Sequence, residues 1–173
     1  MSIKKILTEP NPFLRQKSYD VEKVDNEIRK LIDDMLETMY FAPGIGLAAI
    51  QIGVPKRIIV IDISKEVEKK PLYFVNPKLI VKSKNYSTYE EGCLSVPGQF
   101  AEVDRPDKCH VSYLDYNGQK QELEATGLLA TCIQHEMDHL EGILFIDHLS
   151  KMKKNYIVKK LSKQKKALER IVV

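Results

Sequence analysis

The stretch QHEMDHLEG, Gln134 to Gly142, contains His135-Glu136-x-x-His139. An α-helix turns by about 100° per residue, so side chains four apart share a face one turn apart. Two imidazoles at that spacing can converge on one metal ion. Glu136 then stands beside the ion, free to move a proton rather than to ligate. Such a set suits metal-assisted hydrolysis of an amide. The plainer reading is an amphipathic helix that carries two histidines. Against it, the run ATGLLATCIQHEMDHLEGILF reads as a largely buried helix, with Thr126 as N-cap, Gly142 as the stop, and apolar Leu128, Leu129, Cys132, Ile133, Met137 and Leu140. Histidines and carboxylates in a buried helix need partners, and a metal supplies one.

A hydrolytic site of this kind takes three protein ligands and keeps one open position. The metzincin spacing holds as far as Gly142, but Phe145 stands where its third histidine belongs. A thermolysin-like glutamate is also lacking, since Glu169 alone follows Glu141. Cys132 lies one turn before His135, yet three ligands from one straight helix crowd one side of an ion. Cys109 and His110 are adjacent in a strand pattern, so at most one of them faces the helix. Cys93 lies in YEEGCLSVPGQ, where Gly92, Pro97 and Gly98 predict a turn that brings a thiolate and backbone close to an ion. Cys93 is the favoured third ligand.

The elements that must position these residues follow from periodicity. DNEIRKLIDDMLETMYFAPG predicts a helix capped by Asp25, packed through Ile28, Leu31, Ile32, Met35, Leu36 and Met39, and stopped by Pro43 and Gly44. RIIVIDI predicts a buried strand, and LYFVNPKLIV, FAEVDR, CHVSYLDY and KQELEA predict further strands. Asn117-Gly118 marks a hairpin between the last two. Without βαβ alternation, the fold class is α+β, with antiparallel sheet around the His-Glu-x-x-His helix.

The chain has 173 residues, 43% of them hydrophobic, enough for one domain with a sizeable core. No run approaches the roughly 20 apolar residues of a membrane span or the length of a secretory leader. Three cysteines form no disulfide framework, and the expected location is cytoplasmic. From Lys151 onward nine Lys or Arg stand against one Glu169, so the tail is about +8 and the body about −5 of the formal +3. The tail predicts a helix with Met152, Tyr156, Leu161 and Leu168 as its apolar stripe. Its lysines are either a solvated face or a docking element for a polyanion.

Three separated segments, GIGLAAIQ (Gly44 to Gln51), EGCLS (Glu91 to Ser95) and QHEMDHLEG, resemble in order and spacing the three signature motifs of the peptide deformylases. The resemblance covers almost the whole chain and is to the shorter bacterial class with a C-terminal helix. It implies removal of the formyl group from the N-terminal formylmethionine of nascent chains, with release of formate. It implies Cys93, His135 and His139 as ligands to Fe2+, with Zn2+, Ni2+ or Co2+ able to occupy the site. Glu136 would be general base and then acid for an ion-activated water, and the Gln51 amide and Leu94 N–H the donors to the developing oxyanion. Ile45, Tyr89, Leu128, Thr131 and Cys132 would line the methionine pocket, with Gly44, Gly46, Glu91 and Gly92 also beside the substrate. Thr131 and Phe100 depart from common family choices, and Arg105 and Asp138 resemble scaffold positions. Residues 1–150 would be the catalytic domain and 151–173 its basic helical extension, docking on the ribosome. No membrane and no sequence-specific nucleic acid partner is expected. The competing readings are a metallopeptidase cutting internal peptide bonds and a non-catalytic ribosome- or RNA-binding module.

Overall fold

The computed structural model describes residues 2–65 and 67–171. Helix α1 (Asn26–Phe41) is followed by strands β1 (Gly46–Ala48), β2 (Ile58–Ile61), β3 (Leu72–Lys82), β4 (Tyr86–Cys93), β5 (Val96–Pro106), β6 (Lys108–Leu114) and β7 (Lys120–Thr126). Helices α2 (Gly127–Leu140) and α3 (Lys151–Ile171) follow, separated by a 3-10 turn at Phe145–His148. β1, β2, β3, β6 and β7 form one five-stranded sheet in the order β1-β2-β3-β6-β7, and β4 and β5 form a separate hairpin. All these pairings are antiparallel. The class is α+β, as expected.

The sheet is covered on both faces. Ile59, Ile61, Phe74 and Val111 pack against Ala130, Ile133, Met137 and Leu140 of α2, while Ile58, Val60 and Val75 pack against Ile28, Ile32, Met35 and Met39 of α1. Two-sided burial is why β2 is a continuous apolar run rather than an alternating one. A third cluster joins Val96 and Val103 of the hairpin to Leu144, Phe145 and Ile146 and to Ile157 and Leu161 of α3.

Asp25 caps α1, its side chain accepting from the Ile28 N–H at 3.0 Å. Thr126 occupies the N-cap position of α2, but its side chain makes no cap hydrogen bond. Gly142 follows α2 with φ of +75°, and a Cβ there would also collide with the Arg15 carbonyl. Three expectations need correction. The chain reverses at Leu94 and Ser95, so Gly92 lies within β4, and Pro97 and Gly98 within β5. β4 itself is a strand that apolar periodicity does not announce, because Glu90, Glu91 and Gly92 interrupt it. The apolar stripe of α3 is Ile157 with Leu161, whereas Met152, Tyr156 and Leu168 are exposed. Only the half of α3 nearest the 3-10 turn reaches the body, and residues 163–171 are all exposed.

Candidate metal centre and active site

His135 and His139 project from one face of α2, their ring centroids 5.1 Å apart. The hairpin brings Cys93, the last residue of β4, against them, with Sγ 3.3 Å from His139 Nε2. One ligand atom from each of the three lies within 4.8 Å of the others. A tetrahedral ion with bonds of about 2.0–2.3 Å spaces its donors roughly 3.3–3.7 Å apart, so the triad fits an ion after small adjustment. One thiolate and two imidazoles are donors for iron, zinc, nickel or cobalt.

The surroundings orient His135 and Cys93, whereas His139 Nδ1 has no hydrogen-bond partner among the described residues. His135 donates from Nδ1 to Glu91 Oε2 at 2.8 Å, which leaves Nε2 as the ligating atom. Glu91 is held by Arg105, Nε to Oε1 at 2.6 Å and Nη2 to Oε2 at 3.1 Å. Arg105 Nη1 also donates to Asp138 at 2.8 Å. Burial works against ionising Glu91, but His135 and Arg105 outweigh it and hold its carboxyl below the usual range. Burial disfavours charge on either imidazole; Cys93 and Glu91 nevertheless hold His135 well above the ordinary range, and His139, facing His135, lies well below it. A ligand requires the neutral form, which these directions favour for His139, whereas an ion held by His135 would have to displace its proton.

Glu136 is buried, and its Oε2 has no hydrogen-bond partner among the described residues. Burial pushes its carboxyl up to about 7, with Glu91 and Asp138 adding to the rise and His135 opposing it. A carboxyl near 7 exchanges protons readily at neutral pH. A Cβ on Gly46 would collide with Glu136 Oε1, and one on Gly44 would press into Leu94. These glycines thus make room for the chain's own catalytic candidates, a requirement distinct from the close approach to substrate expected from sequence.

Gln51, in the 3-10 turn Ala49–Ile52, is also buried. Its Oε1 accepts from the Ala48 N–H at 2.8 Å, which turns Nε2 toward Ser95 Oγ at 3.0 Å and Cys93 Sγ at 3.6 Å. The Ser95 N–H also points at the sulfur, at 3.4 Å. Ser95 was not singled out from sequence, although it lies in EGCLS two residues after the thiol.

A cavity of about 490 Å³ opens onto these groups. It runs between the segment before β1 and the hairpin, with α2 as its floor. Gly44, Ile45, Gly46, Gln51, Tyr89, Glu91, Gly92, Cys93, Leu94, Leu128, Thr131, Cys132, His135 and Glu136 all line it. His139, wholly buried, sits behind. Glu91 reaches the cavity wall, but its carboxylate is occupied by Arg105 and His135. The Cys132 thiol is pushed up to about 12, chiefly by burial, and stays protonated. Cys109 is buried in the core, and His110 pairs with Glu122 at the surface. Phe100 lies across Gly92 at the mouth.

A model of the polypeptide deformylase family matches residues 3–155. The chain belongs to the peptide deformylase family. A peptide deformylase of Pelagibacter ubique is 69% identical over 176 residues, covering 100% of both chains. The crystal structure of the Ehrlichia chaffeensis peptide deformylase in complex with actinonin superposes with a TM-score of 0.91 at 46% identity, covering 95% of this chain and 98% of that one. A Legionella pneumophila peptide deformylase gives 0.90 at 44%, covering 98% and 99%. As a member of the deformylase family, the protein is a metal-dependent hydrolase that removes the N-terminal formyl group of new polypeptides. None of its helices is long and apolar enough to cross a membrane, among the described residues.

Proposed function

We propose that Cys93, His135 and His139 hold one divalent ion, Fe2+ in the cell and exchangeable for Zn2+, Ni2+ or Co2+, and that this centre deformylates N-formylmethionyl chains. The ion, when bound, supplies a water of lowered pKa and polarises the formyl carbonyl. Glu136 accepts the proton of the attacking water and returns it to the departing amine nitrogen. The Gln51 amide and the Leu94 N–H donate to the oxygen on which charge develops, each worth on the order of 100-fold or more in rate. Ile45, Tyr89, Leu128, Thr131 and Cys132 wall the unbranched methionine side chain, while the flanking Gly44, Gly46, Glu91 and Gly92 keep the backbone channel narrow.

The observation that carries this reading is the convergence on one sulfur: Cys93 Sγ meets His139 Nε2 while the Gln51 amide points at it. The test is formate release from formyl-Met-Ala-Ser by anaerobic, Fe2+-loaded protein. Glu136→Ala should keep its metal and lose roughly 100-fold or more in kcat, and Cys93→Ala should lose metal and turnover together. Actinonin, bound by the Ehrlichia relative, should inhibit the wild type. Cleavage of the unformylated twin peptide at an internal bond, with no formate, would move the assignment to a metallopeptidase.

The exposed end of α3, with Lys163, Lys165, Lys166 and Arg170, supports docking on ribosomal phosphates in the cytoplasm. Co-sedimentation with ribosomes that weakens steeply with salt, and is lost with residues 163–173, is the expected result. Salt-independent association would remove this part of the proposal.

A further inference from the structure

The 3-10 turn Phe145–His148 occupies the place where the chain departs from the three-histidine template, and it grips α2 twice. The Phe145 ring stacks on His135, centroids 6.2 Å apart at an interplanar angle of 23°. Three residues on, His148 Nε2 lies 2.8 Å from Asp138 Oδ2. Asp138 takes Arg105 Nη1 on the same oxygen, Arg105 forks onto Glu91, and Glu91 accepts from His135 Nδ1. A continuous hydrogen-bonded chain therefore runs from a histidine side chain 38% exposed to solvent to an imidazole of the metal centre.

The charges explain why the outer end matters. Arg105 is a single cation between two carboxylates, all three largely withdrawn from water. Buried carboxylates keep their position only while their lone pairs are satisfied. The His148 N–H is the second donor on Asp138 Oδ2. Without it, the Asp138 carboxylate is released to turn outward to water, and Arg105 is left to pivot on Glu91 alone. The turn itself cannot drift to compensate. Phe145 and Ile146 are buried in the third cluster, and Asp147 is tied to Arg15 at 2.5 Å and Lys154 at 2.6 Å.

We infer that His148 is a positioning residue for the metal centre: by fixing Asp138 it fixes Arg105 and Glu91, and through them the orientation of His135. The inference rests on the reading of Cys93, His135 and His139 as ligands. Partners that hold a ligand directly typically change metal affinity by about 10–100-fold when removed, and a residue further along the chain should act more weakly, by about three- to ten-fold.

The test uses the full chain and Zn2+ alone, with affinity measured by competition against a chelator. His148→Ala should bind Zn2+ about three- to ten-fold more weakly. His148→Gln, whose amide can still donate to Asp138, should bind as the wild type does. Rescue by Gln separates hydrogen-bond positioning from simple loss of packing, and thermal unfolding of the metal-free variants checks that both fold. Affinity of His148→Ala equal to the wild type, or equal loss in Ala and Gln, overturns the inference. A wild type that binds no Zn2+ overturns the ligand reading and the chain of positioning together, whereas tight and equal binding by wild type and Ala overturns the positioning alone.

Discussion

At the scale of single residues, the distance that matters most is the one Gly46 leaves open. A methyl group there would meet the Glu136 carboxylate, which could step aside only into the cavity it lines, away from the place proposed for the attacking water. Gly46→Ala should therefore keep the metal and lower kcat on a formylated peptide by about 100-fold, the usual cost of misplacing a reacting group by an ångström. Metal content beside single-turnover rates checks this, and an unchanged kcat would mean the carboxylate relocates freely. The pH profile follows from the same side chain. Burial raises the Glu136 carboxyl to about 7 in the metal-free chain, and a bound cation acts in the opposite direction by favouring the carboxylate. A general base works only when ionised, so kcat/KM should fall on the acid side, through a pKa below about 7. Glu136→Gln should abolish that limb along with the activity. The grouping of Cys93, His135 and His139 is legible in the sequence because helical spacing is local and the EGCLS motif is short. The aim of Gln51 is not, since the Ala48 N–H and the Ser95 hydroxyl set it, and the latter arrives from another element.

At the scale of elements, Arg105 is the bolt between the hairpin and α2. It is buried, pairs Glu91 within the hairpin, and crosses to Asp138 on the helix. Arg105→Met leaves two carboxylates without their cation, and breaking a buried pair from one side costs about 3–5 kcal/mol. The expected result is a large drop in the denaturation midpoint of the metal-free protein, with weaker metal binding. A midpoint within error of the wild type would show the carboxylates to be solvated. A smaller effect tests the cap on α1: Asp25→Ala should lower the denaturation midpoint slightly without touching turnover. Elements whose burial is regular are legible in the sequence: β2 announces itself by four successive buried aliphatics, and α1 by its one-sided spacing. β4 is not, because its alternation of exposed and half-buried polar residues shows no apolar period. Nor does hydrophobicity alone fix the stripe on α3, where contact with Leu144, Phe145 and Ile146 decides which face is covered.

At the scale of the whole molecule, α3 divides into an anchored half and a free half. Removing residues 163–173 should leave stability within about 0.5 kcal/mol, as for surface changes generally. Removing everything from Lys151 uncovers the third cluster, and each of Ile157 and Leu161 contributes roughly 1.5–3 kcal/mol by burial. Calorimetry of the two truncations should separate them clearly, and equal melting temperatures would mean the anchored half contributes nothing. The separateness of the hairpin has a kinetic consequence. Two of the three proposed metal donors share a helix in the main core, while the third belongs to a two-stranded ribbon too small to persist by itself. Peeling that ribbon opens the coordination sphere without unfolding the sheet. Escape of the ion should then follow a sub-global opening, and amide hydrogen exchange should reveal it: loading the metal protects 86–106 far more than β2 or α1. The centre would thus close like a clasp, with the ion as its latch.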